Sequence, residues 1–175
     1  MTSRPRTLPT LAAIDVSMLI ALMVGVEPAA AAATPDVPFN AVYSGTFTPT
    51  STGFDVVGTG RATSLGASRN HGTVVMLAQT NPACPSTGFV VTNDETLIAA
   101  NGDQLNLSIL DKPCPVAGEP GIYDGVSTYR ITGGTGRFSA AHGDGYFDGR
   151  GDFTDPNHLT FAYTFAGTIG APGNR

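Results

Sequence analysis

The sequence predicts an all-β protein, an eight-stranded antiparallel β-barrel with little helix. Strand-like segments recur at intervals of roughly 10–15 residues with turn residues between them, a spacing typical of a β-sandwich or barrel. No segment after residue 33 shows a long apolar repeat of 3.6 residues, the period of an amphipathic helix. A barrel is favoured over an open sheet because closure removes the exposed edge strands.

The early strands are indicated by alternation and by turn residues. Tyr43 and Phe47 share one face of the first, and a Ser-Thr-Gly turn leads into the second. The apolar run 74–77 has no polar face, so the third strand is expected to be covered on both sides. The fourth is interrupted at 93–95 and is either one strand or a broken pair. The predicted ranges are 40–48, 54–62, 73–79, and 89–92 with 96–100.

The later strands are predicted at 103–110, 122–131, 145–153 and 158–169. Asn101-Gly102 tolerates the positive φ of a tight hairpin, so the fourth and fifth strands should be neighbours. In the last strand every large apolar side chain has the same parity, and threonines and alanines occupy the other face. The large face is expected to point inward. By this parity we assign to the lumen, as candidate ligand-binding residues, Phe47, Leu107, Tyr129, Phe161, Tyr163 and Phe165.

A glycine-rich stretch between the sixth and seventh strands is the most informative motif. Gly133, Gly134 and Gly136 occupy three of four positions and permit a sharp turn, after which Phe138 can return to the sheet. A phosphate-binding loop is disfavoured because strands, and no long helix, flank these glycines. The stretch 129–145 resembles the strand-loop signature of the allene oxide cyclase and dirigent proteins, which are barrels of the calycin type.

That resemblance implies a function as well as a fold. Proteins of this family are small barrels that often form trimers, and a homo-oligomer is therefore one expectation here. They hold an apolar, reactive molecule in one shape while it cyclises or couples, and they require no cofactor. If this chain is an enzyme, the resemblance implies a cofactor-independent cyclase or isomerase. The motif assigns no catalytic residue in this sequence.

The N-terminus has the order of a secretory signal peptide. Arg4 and Arg6 precede a mostly apolar run at 11–26, Glu27-Pro28 ends that run, and small residues follow up to Ala33. We therefore predict a signal peptide at residues 1–33 and one barrel domain at 34–175, in a secreted or cell-envelope protein. A start at Met18 or a single membrane anchor are the alternatives, although the clean apolar part is shorter than the roughly 20 residues of a membrane span.

Charge and cysteine content further restrict the possible partners of the protein and the chemistry of its two cysteines. The net charge is −5 and Lys112 is the one lysine, which argues against nucleic acid or an anionic membrane as partner. Cys84 and Cys114 are each followed by proline, and in an exported chain an even pair predicts a disulfide. The alternative is a catalytic thiol, which would need a nearby base.

Other chemical motifs are weak. Asp144, Asp148 and Asp152 recur every four residues but lack the ligand order of a calcium loop. The three histidines are scattered, so no zinc site is expected, and no serine-hydrolase elbow is present.

Several acids and tyrosines could serve a lumen site. The acids Glu95, Asp111 and Asp124 are expected as rim charges in water, because acids are seldom buried unpaired. Arg130 lies on the same strand face as Asp124. A carboxyl that did reach the lumen would have a raised pKa and could act as a general acid or base. The tyrosines Tyr43, Tyr123, Tyr129 and Tyr163 either donate to a ligand or pack with their hydroxyls at the rim.

Two functions remain open at this point. One is a secreted barrel that binds a small apolar molecule in its lumen and steers its cyclisation or coupling. The other is a non-catalytic exported barrel with a filled core, which serves as a structural or interaction protein. An avidin- or lipocalin-like carrier is less favoured because the chain has no tryptophan. A lumen of a few hundred Å3 would support the first function, and a densely packed interior would support the second.

Overall fold

The computed structural model describes residues 36–170, and most of them lie in antiparallel strands. One short 3-10 helix, Gly136–Phe138, interrupts the strands. The signal peptide and its cleavage site, predicted within residues 1–33, lie outside the described residues. No helix within residues 36–170 has the length and apolarity needed to cross a bilayer. The strands are β1 Val37–Pro49, β2 Gly53–Ala62, β3 Gly66–Asn81, β4 Gly88–Ala99, β5 Gln104–Asp111, β6 Cys114–Pro115, β7 Ile122–Gly134, β8 Gly143–Asp152 and β9 Thr160–Ile169.

The strands close into a barrel, which confirms the predicted fold class. Neighbouring strands follow the order β5-β4-β3-β2-β1-β9-β8-β7, and β5 also pairs with β7, so the ring of eight has no free edge. The ninth strand, β6, has two residues and adds to the edge of β7 where Cys114 faces Asp124. Closure is supplied by the pairing of Ile109 with Tyr129 and its neighbours along β5 and β7.

The structure selects one of the two alternatives for the fourth segment, which is a single continuous strand. Two other strand predictions need correction. The first is the start of β3, which lies at Gly66, seven residues before the predicted start. The expectation that the run 74–77 is covered on both sides is wrong, since Val75 and Leu77, on the face opposite the buried Val74, are only half-buried. A strand in a single closed barrel has one face toward the core and one toward solvent. The pairing of β3 with β4 also shifts register between Met76 and Thr80, which disturbs the alternation there.

Large inward side chains lie against inward glycines of neighbouring strands. A Cβ added at Gly60 would lie 2.6 Å from the ring of Tyr43, and one at Gly45 would lie 2.9 Å from the ring of Phe161. Aromatic rings therefore occupy the space that a side chain at these positions would need. Alternation of large and small inward residues is how a small barrel fills its interior.

The glycine-rich stretch covers one end of the barrel. Gly133 and Gly136 have φ of +123° and +57°, and the turn they permit leaves Phe138 fully buried beneath it. Arg137 donates from Nη2 to the carbonyl of Ser64 at 2.8 Å, which ties this connection to the one between β2 and β3. This end is called the closed end below.

The predicted disulfide is confirmed and lies at the opposite end. Cys84 and Cys114 are bonded with their Cα atoms 5.3 Å apart, and they join the β3–β4 connection to the segment between β5 and β7. Asn81 strengthens the same junction by donating from Nδ2 to the carbonyl of Lys112 at 2.8 Å. Consecutive antiparallel strands place alternate connections at the same end, so the β1–β2 and β8–β9 connections also lie here. This end is called the open end.

Candidate functional site

Five aromatic side chains surround the opening at the open end. Phe47 stacks on Phe153 with ring centroids 5.3 Å apart and planes 15° from parallel. Phe54 lies 5.4 Å from both of these rings, Tyr123 lies 5.7 Å from Phe153, and Phe89 lies 5.1 Å from Tyr123. The rings come from the ends of several strands and from the β8–β9 connection, so barrel closure brings them together. We call these five residues the aromatic mouth.

A small cavity lies below the aromatic mouth. Its volume is about 50 Å3. Its apolar walls include Val74, Val91 and Phe147. Three polar side chains, Asn93, Asp111 and Tyr163, also line it, and we call them the polar floor. The cavity has room for a few water-sized groups. It is well below the few hundred Å3 of a typical ligand pocket.

A buried carboxyl group lies beside this floor. Glu95 is 1% exposed, and its two oxygens accept hydrogen bonds from two amides. Asn70 Nδ2 donates to Oε2 at 3.0 Å, and Asn93 Nδ2 donates to Oε1 at 3.1 Å. A Cβ at Gly72, on the neighbouring strand, would lie 2.9 Å from Oε2. The glycine thus leaves the space in which the carboxyl fits. We call Asn70, Asn93 and Glu95 the carboxyl cluster.

Burial has the largest effect on the pKa of the Glu95 carboxyl group. Desolvation raises the pKa of Glu95 from 4.5 to about 7, although the hydrogen bonds from Asn70 and Asn93 favour the carboxylate and oppose the rise. The negative charge of Glu95 in turn adds to the effect of burial in raising the pKa of Tyr43 and of Tyr163. The expectation that Glu95 is a solvated rim charge is therefore wrong. A carboxyl with a pKa near neutrality can both give and take a proton.

Asp111 is also buried, which corrects the same expectation for that residue. It is 8% exposed, and its Oδ1 accepts from Ser127 Oγ at 2.5 Å and from the backbone N–H of Lys112 at 2.8 Å. Desolvation raises its pKa despite these bonds, and the nearby charge of Asp148 adds to the rise. Gly125 provides the space, since a Cβ there would lie 2.5 Å from Oδ1.

Four buried polar side-chain atoms have no hydrogen-bond partner within residues 36–170. They are Asn70 Oδ1, Asn93 Oδ1, the hydroxyl of Tyr129 and, at the closed end, Arg137 Nε. Buried acceptors without partners lose the hydrogen bonds that water would supply. Asn93 is the informative case because it also lines the cavity. A bound molecule with a donor group would satisfy its oxygen.

The six residues predicted to face the lumen all have inward parity. Five are buried and Phe47 is half-buried. Phe47, Phe161 and Tyr163 form one chain of ring contacts, with Phe161 stacked on Tyr163 at 4.2 Å. Phe165 and Tyr129 continue it toward the closed end with centroids 5.5 Å apart. Leu107 packs in the core, and only Phe47 and Tyr163 of the six line the cavity. Ligand binding at the six stays a prediction.

The other charged candidates lie on the outer surface. Asp124 and Arg130 are exposed, and Asp124 accepts two hydrogen bonds of 3.0 Å from Arg150. Asp144 and Asp148 are exposed as well. In the part of the chain that the structure describes, no group of three or more histidine, cysteine, aspartate or glutamate side chains could hold a metal ion.

Sequence reasoning missed the carboxyl cluster, although a signal for it existed. Val91, Asn93, Glu95, Leu97 and Ala99 have one parity, and the three apolar members indicate that this parity faces the core. Asn70 could not be found in this way because it lies in the part of β3 that was not predicted.

Comparison with known proteins identifies no relative of this chain. No protein-family model, no curated protein and no solved structure matches this chain. The functional argument therefore depends on the geometry of the open end.

Proposed function

We propose that this chain is an exported barrel that binds a small, largely apolar molecule at its open end. The apolar body of the ligand would lie against the aromatic mouth, and a polar group would reach the polar floor. The half-buried disulfide favours an oxidising compartment, which agrees with the predicted signal peptide.

The observation that carries the proposal is the buried carboxyl cluster. Burying a carboxyl costs free energy, and apolar side chains of similar volume would often stabilise a core equally well or better. A barrel that needed only a filled interior would have no use for Glu95 and two amides with unpartnered oxygens. Strongly shifted carboxyl groups next to a cavity are typical of functional sites.

The same geometry is compatible with the activity that the resemblance implies. A molecule held against the aromatic mouth would be restricted to few shapes, which favours one cyclisation or coupling product. Glu95, with a pKa of about 7, would act on the polar end of the ligand through its charge and through Asn93, whose Nδ2 donates to Glu95 Oε1. In this proposal the protein needs no cofactor.

The small volume of the cavity favours a second candidate, a non-catalytic barrel with a filled core. A cavity of about 50 Å3 does not admit a ring without movement of the aromatic mouth. Under this alternative the open end would bind no small molecule, and the chain would act as a structural or interaction protein.

Two-dimensional NMR with a panel of small aromatic compounds separates the two candidates. Binding should shift the amide signals of Val74, Val91 and Asn93, which line the cavity. Val91→Leu places one more methylene in the cavity and should weaken binding, whereas Tyr146→Ala, at a side chain 70% exposed on the outer surface, should leave it unchanged. A panel that moves no cavity signal would support the filled-core alternative.

A further inference from the structure

The polar floor offers hydrogen-bond acceptors. Asn93 is 2% exposed, and its Oδ1 has no partner among the described residues. Asp111 engages only Oδ1 in hydrogen bonds within the same range, so its Oδ2 remains available. Tyr163 contributes a hydroxyl that can donate or accept. A ligand group that donates several hydrogen bonds therefore fits this floor better than one that accepts them.

The buried charge around the cavity is negative. Asp111 lines it, and Glu95 lies one hydrogen bond beyond Asn93. The cation among the lining residues is Arg150, whose guanidinium is held on the outer surface by Glu119 at 2.6 Å and by Asp124 at 3.0 Å. The positive charge of Arg150 is thus already neutralised by these two carboxylates. An anionic ligand group would meet uncompensated repulsion at the floor, while a cation would be attracted.

The walls suit a cation with an apolar body. The five rings of the aromatic mouth stand at centroid separations of 5.1–5.7 Å, and the negative face of an aromatic ring attracts a cation. The cavity of about 50 Å3 admits a compact group such as an ammonium, but it is too small for an aromatic ring. Recognition of alkylammonium groups by aromatic side chains together with acids is a general solution for such ligands.

We propose that the ligand of the open end carries a compact cationic group, an ammonium or alkylammonium, which donates to Asn93 Oδ1 and Asp111 Oδ2 while its apolar body lies in the aromatic mouth. The inference deepens the proposed function and rests on it, because it names the chemical class of the molecule that the barrel binds.

Proton release is a consequence of this arrangement. The groups that face Glu95 are Tyr43 and Tyr163, and the charge that faces Asp111 is that of Asp148, so within residues 36–170 no cation offsets either acid. A bound cation stabilises both carboxylates and lowers their pKa values. Binding should therefore release protons near neutral pH, and affinity should increase as pH rises through 7.

Isothermal titration calorimetry with three matched compounds tests the inference. Benzylamine, benzyl alcohol and benzoate have the same ring and differ in the charge of the attached group. At about pH 7.5 benzylamine should bind at least roughly tenfold more tightly than the alcohol, and benzoate should not bind. Titration in two buffers of different ionisation enthalpy should show proton release with benzylamine and none with the alcohol.

Two isosteric variants test whether the carboxylate of Asp111 causes the tighter binding of the amine. Asp111→Asn should weaken benzylamine binding roughly tenfold to a hundredfold and change the affinity for the uncharged alcohol much less. Asp144→Asn makes the same change of net charge at an exposed position of β8 and should change neither affinity. Each variant is first compared with the wild type by circular dichroism, and the alcohol serves as an internal control for an intact mouth.

The outcomes separate this inference from the proposed function. If benzyl alcohol binds as tightly as benzylamine, or if Asp144→Asn weakens the amine as much as Asp111→Asn does, the cation is not recognised at the floor, while the apolar site stands. If none of the three compounds binds, both the inference and the proposed function are overturned.

Discussion

Replacement of Glu95 by glutamine should make the barrel more stable above neutral pH. An unfolded chain releases the Glu95 proton near pH 4.5, whereas the folded protein holds it to a pKa of about 7. Between these values the folded state binds more protons than the unfolded state, so the free energy of unfolding falls as pH rises. At about 1.4 kcal/mol for each pH unit, the total loss is about 3 kcal/mol.

The glutamine should avoid this loss and keep the local geometry. Its amide carries no charge, and its Oε1 can accept from one asparagine as the carboxyl does. Its Nε2 can donate to Asn70 or Asn93 after an amide rotation, because the Oδ1 of each asparagine has no partner in the part of the chain that the structure describes. At pH 5 the variant and the wild type should have similar stability. At pH 8 the variant should be more stable by about 2–3 kcal/mol.

Urea unfolding at pH 5, 6, 7 and 8 measures the difference. Far-UV circular dichroism and tyrosine fluorescence can both follow the transition, since the chain has five tyrosines and no tryptophan. Asp111 also has a raised pKa and lowers stability in the same direction, but it is present in both proteins and cancels from the comparison. Parallel loss of stability in variant and wild type from pH 5 to pH 8 would refute the reasoning, because the carboxyl of Glu95 would then titrate normally in the folded protein.

Two further stability predictions concern the core and the open end. Tyr129→Phe removes a buried hydroxyl that has no partner among residues 36–170, and it should be neutral or stabilise by up to about 1 kcal/mol. Tyr43→Phe breaks a 2.6 Å hydrogen bond to Ser68 and should cost about 1 kcal/mol. Equal urea midpoints for the two variants would contradict this prediction. Replacing Cys84 and Cys114 by serine should cost about 2–4 kcal/mol, and an unchanged midpoint would show that the bridge does not limit the unfolded chain.

The barrel was predictable because the residue pattern of most strands indicates one buried face. In β9 the large residues and the small ones have opposite parity, and a single inward face is the only arrangement that hides the rings from water. The cysteine pair was predictable for a different reason, since a chain with two cysteines has one possible internal bridge, and the predicted export favoured its formation. Both inferences need only local sequence and compartment.

The candidate site was missed because two local sequence rules, strand parity and the avoidance of buried acids, conflict at these residues. The polar run 93–95 suggested a break in the fourth strand, yet β4 continues through it with Glu95 pointing inward. The rule that acids avoid the core favoured a rim position and outweighed the parity of Val91, Leu97 and Ala99. Sites of function are where such rules are expected to fail, because a buried carboxyl has a chemical use that offsets its cost.

By itself, the sequence determined the barrel class, the position of most strands, the core-facing side of the clearly alternating ones, and the bridge between Cys84 and Cys114. Only the tertiary structure decided how deep Glu95 lies and which groups surround it. Asn70 reaches that carboxyl from β3, 25 residues earlier in the chain. It does so only because β3 and β4 pair in one register, and a shift of one residue would turn the side chain to solvent. Register depends on pairing between distant segments, and no local pattern specifies it.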